Sequence, residues 1–109
     1  MFKIAGSMVG LLALPTIAVA QQLSPALIIG WLGYSAGTVS QDLSVQNNSW
    51  SPIKAAKIGC RFFDNSKQLG AGTVEIKNIA ANAAGYKTMT IASRISPNNA
   101  TCKMVSVTY

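Results

Sequence analysis

From residue 43 onward, apolar side chains recur at every second position, and polar turn clusters interrupt them at short intervals. Leu43-Ser-Val45-Gln-Asn47 alternates and runs into Asn47-Asn48-Ser49. Ala56, Ile58, Cys60 and Phe62 alternate with Lys57, Gly59 and Arg61, and Asp64-Asn65-Ser66-Lys67 closes that run as a hairpin turn. Gly70 and Gly72 mark a bend or bulge before Thr73-Val74-Glu75-Ile76-Lys77, and residues 86–91 alternate again. Asn82-Ala83-Ala84-Gly85 and Ser96-Pro97-Asn98-Asn99 are further turns, and 101–109 is rich in Val, Thr and Tyr. A period of two sends successive side chains to opposite faces of a pleated strand, and no segment carries the 3.6 period of an amphipathic helix. Six or so short strands separated by such turns predict an all-β fold, an antiparallel sandwich or barrel.

The expected core is Leu43, Val45, Ala56, Ile58, Cys60, Phe62, Val74, Ile76, Met89, Ile91 and Cys102. The last strand fits this scheme less simply. If Cys102 faces in, strict alternation turns Met104 and Ser106 inward and Val105 and Val107 outward. A bulge, or a strand buried on both faces, resolves this, and both remain open.

The chain begins MFKIAGSMVGLLALPTIAVAQQ. One basic residue, an apolar run and a small-x-small ending at Ala18-Val19-Ala20 describe a secretory signal peptide over residues 1–20. An uncleaved anchor is the alternative, at the short edge of what spans a bilayer and weakened by Gly6, Gly10 and Pro15. Residues 21–37 form an N-terminal segment with a possible first strand. Its apolar stretch 27–34 is too short to span, and its Trp, Tyr and β-branched residues suit a strand. Residues 38–109 form the sandwich.

The two cysteines, Cys60 and Cys102, are an even number in a chain addressed to an oxidising compartment. One disulfide is the first reading, with two free thiols as the alternative. A metal site is not expected from two cysteines in a chain without histidine.

From Leu43 the pattern resembles the small Ig-like sandwiches of exported bacterial proteins, the FxLYD-type domains of unknown function. The residues that carry it are Leu43-Ser-Val45-Gln-Asn47-Asn48, the strand 53–63 ending in an aromatic, the polar turn 64–67, the Gly/Thr-containing strand 70–76 and Asn78-Ile79-Ala80-Ala81-Asn82. A subset of exported proteobacterial proteins, with one cysteine in the third strand and one in the last, is similar at Cys60 and Cys102. The likeness covers about 65 residues. It implies an Ig-like antiparallel β-sandwich acting as a binding or structural module.

Composition narrows the chemistry. Histidine is absent, which removes the commonest general base, the Ser-His-Asp triad and His-ligated metal sites. Only three carboxylates exist, Asp42, Asp64 and Glu75. The two aspartates sit at turn-like positions, where Asp serves the backbone more often than it serves as half of a hydrolytic pair. No catalytic residue, cofactor or metal is expected, and the chain reads as a non-enzyme. The net charge is +6. Lys57 and Arg61 share one strand face, and Lys77, Lys87 and Lys103 fall on neighbouring strands. Such a face suits an anionic envelope component, while dispersed lysines also simply solvate a small domain. No specific nucleic-acid binding is expected.

Trp31, Tyr34, Trp50, Phe63 and Tyr86 are candidates for stacking a sugar or meeting a partner, against the reading that each plugs an end of the sandwich. The candidate surface comprises Lys57, Arg61, Trp50 and Phe63. The function these features suggest is an exported, periplasmic or secreted module that binds a protein or envelope component. A structural subunit that donates residues 26–34 as an exchanged strand is an alternative. A hydrolase of envelope polymers is a further one. The signal reading makes a direct prediction: intact mass of exported protein places the N-terminus at Gln21, whereas Met1 recovered in a membrane fraction means an anchor.

Overall fold

The computed structural model describes residues 24–109. The expected signal, residues 1–20, lies outside the described residues. Six strands follow in order: β1 (Ala26–Ser35), β2 (Thr38–Gln46), β3 (Ile53–Asp64), β4 (Lys67–Ile79), β5 (Ala84–Ala92) and β6 (Asn99–Thr108). They form two three-stranded sheets, β1-β2-β5 and β4-β3-β6, with every pairing antiparallel. The chain is the expected all-β sandwich with one disulfide. The apolar segment before residue 38 is its first strand, paired with β2 of the same chain through a hairpin. Ala36 and Gly37 form the two-residue turn, both at positive φ (49° and 81°), the backbone twist that matches antiparallel strands. Asn65 at φ 56° does similar work at the tip between β3 and β4.

The inward faces supply the core. Leu43, Val45, Ala56, Ile58, Cys60, Phe62, Ile76 and Met89 are buried, and Val74, Ile91 and Cys102 pack half-buried against them. Every expected core position faces inward, and Val39, Ile53 and Ile79 join them. Ile79 escapes simple alternation because Asn78 takes φ 57°, which turns the end of β4 so that Ile76 and Ile79 both point inside. On the side where β4 meets β5, a side chain at Gly70 would come within 2.9 Å of Ile91 Cδ1, so the missing side chain lets the two sheets close.

The bulge reading holds for the last strand. Lys57 pairs with Ser106 and Ile58 with Met104, which leaves Val105 as an extra residue on β6. Met104 and Val107 therefore both pack on the core while Val105 stays exposed. Cys60 and Cys102 are directly paired on β3 and β6, with Cα atoms 4.0 Å apart and a bond between them. The bridge thus staples neighbours within one sheet. Its 42-residue separation gives about 4 kcal/mol of stabilisation on the chain-entropy account.

Polar residues complete the interior. Asn47 and Ser49 continue the inward alternation of Leu43 and Val45 and are buried. Asn47 Nδ2 donates to the carbonyls of Ser51 (2.8 Å), Ile79 (3.2 Å) and Ala80 (3.2 Å). Its Oδ1 accepts from Ser49 N (3.1 Å) and the Ser49 hydroxyl (2.8 Å), and its backbone N–H donates to Ala83 O (2.8 Å). The cluster expected as a turn is also a buried joint, because it satisfies the backbone at two of the three places where the chain crosses between sheets. Asn47→Ala removes all five side-chain bonds at once, and we expect a loss of about 3 kcal/mol and a melting temperature lower by roughly 10–20 °C. Asn48→Ala removes only an exposed bond to Ser24 O, so thermal melts of the two variants should differ sharply.

Candidate functional site

The outer face of the β4-β3-β6 sheet carries the basic residues. Lys57, Gly59, Arg61 and Phe63 follow one another on that side of β3, since Ile58, Cys60 and Phe62 are buried on the other. Register then decides the neighbours. Gly59 pairs with Lys103 of β6 on one flank and Thr73 of β4 on the other, and Arg61 pairs with Thr101 and Ala71. Lys103 is thereby placed level with Gly59, between Lys57 and Arg61. The absent side chain at Gly59 leaves a groove of about 420 Å³, open to solvent and bordered by Arg61, Lys103, Thr73 and Thr101. A side chain grown at Gly59 would approach Val105 Cγ2 to 3.3 Å, so the groove floor has little spare room. Directly behind this floor, the Cys60–Cys102 bond holds β3 and β6 together.

The field of this face is positive but not uniform. Glu75 of β4 pairs with Lys57 and lies 3.9 Å from Lys77 Nζ, an exposed ion pair of small energetic weight. Around Gly59 itself the bordering charges are Arg61 and Lys103. Two guanidinium or ammonium groups with hydroxyl neighbours can hold a phosphate, sulfate or carboxylate by charge-assisted hydrogen bonds. Lys87, by contrast, belongs to the other sheet, where it pairs with Leu43.

The sequence-derived surface is only partly brought together. Lys57 and Arg61 do share a face, and half-buried Phe63 continues their row. Trp50 lies in the loop before β3, 61% exposed, while Phe63 lies near the far end of the same strand. Ten residues of extended chain separate those ends by about 30 Å, so Trp50 and Phe63 do not form one patch. Tyr34 is half-buried, and its hydroxyl donates to Ser93 O at 2.9 Å, closing the end of the sandwich. Asp42 and Asp64 sit on β2 and at the end of β3, in different sheets, so no carboxylate pair is assembled.

A second surface emerges on the outer face of the β1-β2-β5 sheet. Between Ile29–Leu43 and Leu32–Gln41, β1 advances three residues while β2 advances two, so Gly30 and Trp31 together oppose Asp42 in a β-bulge. Buried Gln41 sustains it: its Nε2 lies 3.1 Å from Gly30 O, 3.3 Å from Trp31 O and 3.1 Å from Asp42 O. The bulge throws Trp31 outward, 72% exposed, with its indole leaning onto Gly33, whose missing side chain the ring replaces. The inward position of Asn47, named above only as a turn residue, and Gln41 altogether went unread in the sequence. The one available signal was that both occupy inward positions of an otherwise apolar alternation.

No family model, curated protein or solved structure matches the chain. The geometry of Gln41 is testable directly. Gln41→Leu leaves the bulge carbonyls without their donor, and we expect a loss of about 2 kcal/mol with a changed near-ultraviolet dichroism of tryptophan. Gln46→Leu, at a half-buried position of the same strand, should stay within about 0.5 kcal/mol of the parent in the same melts.

Proposed function

We propose that this protein is a non-enzymatic, exported binding module whose basic face engages an anionic component of the cell envelope. The observation that carries the reading is the placement of Lys103 beside Gly59, which brings Lys103 and Arg61 to one groove with Lys57 further along the same face. A secretory-type N-terminus and a disulfide support a periplasmic or secreted location. The resemblance read from the sequence implies a binding or structural module. The net charge of +6 assists approach of any anionic surface, and the groove turns general attraction into a place.

The test separates place from charge. Retention on immobilised heparin is measured against salt for the parent and for two triple variants that remove equal charge. One carries Lys57→Gln, Arg61→Gln and Lys103→Gln; the other carries Lys54→Gln, Lys67→Gln and Arg94→Gln. Each ionic contact contributes a slope of about 0.7–0.9 to the fall of log K with log salt. The first variant should flatten the slope by about 2, and the second by clearly less. Equal losses in both would mean that the charge only solvates the domain.

A further inference from the structure

We infer that the outer face of the β1-β2-β5 sheet is a second binding site, and that it takes a neutral oligosaccharide. The inference is independent of the basic face, which belongs to the opposite sheet.

The face is a trough. Its middle strand, β2, presents the short polar side chains of Ser44 and Asp42, while Ile28 and Trp31 rise from β1 and Tyr86 from β5. Register places Ile28 and Tyr86 on either side of Ser44, and Trp31 and Thr88 on either side of Asp42. The resulting groove measures about 260 Å³. Trp31 is 72% exposed and Tyr86 75%, so both rings stand free of the core. Their strands are two ladder spacings apart, about 10 Å, with Asp42 and Ser44 between them.

The chemistry of the trough selects its occupant. An apolar partner would cover the walls but also strip water from the Asp42 carboxylate, whose partner is the Thr88 hydroxyl at 2.9 Å, and that desolvation is unfavourable. A second copy in a two-fold contact would likewise cover the Asp42 carboxylate, once on each partner. A pyranose ring has an apolar C–H face to lie on indole and phenol, and an edge of hydroxyls to donate to the open oxygen of Asp42 and exchange hydrogen bonds with Ser44 and Thr88. The Trp31 ring is already held before a ligand arrives, because the Gly30–Trp31 bulge aims it and Gly33 gives it a seat, so little ordering entropy remains to be lost.

The experiment uses the exported protein carrying Trp50→Phe, which leaves Trp31 as the only tryptophan after removal of the signal. Chitohexaose and cellohexaose are titrated separately while Trp31 emission is followed. At least one should give a saturable blue shift with a midpoint below about 1 mM. By calorimetry, Trp31→Ala and Tyr86→Ala should each weaken that binding by about tenfold. Asp42→Asn should weaken it less, and the Lys57→Gln, Arg61→Gln, Lys103→Gln variant should bind as the parent does. Trp31→Phe guards against misfolding and should bind better than Trp31→Ala. No saturation by either sugar, or equal binding by Trp31→Ala, overturns the inference. So does tighter binding of tetramethylammonium than of both sugars, or a Trp31-dependent rise in mass with concentration, since these assign the trough to a cation or to a second copy.

Discussion

The sandwich depends on the hydrogen bonds of one buried side chain, Asn47. The chain leaves the first sheet after β2, returns to it after β4, and both crossings pass the same corner. A backbone that changes sheets cannot keep its ladder partners, and its carbonyls at the corner would be buried without water. Asn47 answers this with a side-chain amide, which offers two donors and an acceptor at one point. The side chain holds the entry to β3 at Ser51 and the exit of β4 at Ile79 and Ala80, and the backbone N–H of the same residue holds the entry to β5 at Ala83. The far end has a lighter, exposed counterpart, in which Asn65 and Asn98 bond reciprocally and tie the β3–β4 tip to the start of β6.

With the two sheets locked in this way, their outer faces are set by register, and the register is adjusted by bulges. Val105 is the extra residue that lets β6 keep both Met104 and Val107 on the core while Lys103 stays outside beside Gly59. The Gly30–Trp31 bulge does the same for β1, keeping Leu27 and Leu32 against the core and ejecting an indole between them. In each case a core requirement fixes the irregularity and a surface feature results from it. The disulfide and Gln41 stand directly behind these two features, one covalent and one hydrogen-bonded.

The two faces differ in chemistry because the central strands differ. β3 places Lys57 and Arg61 on either side of Gly59, and β2 places Ser44, Asp42 and Ser40 in the corresponding row. The proposed cationic groove and the proposed aromatic trough therefore lie on the outer faces of different sheets.

The period of two was sufficient on its own to place most of the strands from Leu43 onward, most of their inward apolar positions, the hairpin at Asn65 and the common face of Lys57 and Arg61. Pleat geometry is local, so it is written in the order of residues. The even cysteine count similarly pointed to a single bridge before its place was known. Pairing between distant strands was not legible. That Lys103 stands beside Gly59, that Trp31 and Tyr86 flank the same trough and that Trp50 and Phe63 lie apart are consequences of register and strand order, which depend on contacts far apart in the chain. Asn47 and Gln41 were hidden for a related reason. A polar residue at an inward position has meaning only once the carbonyls it must satisfy are assembled around it, and those carbonyls come from other strands.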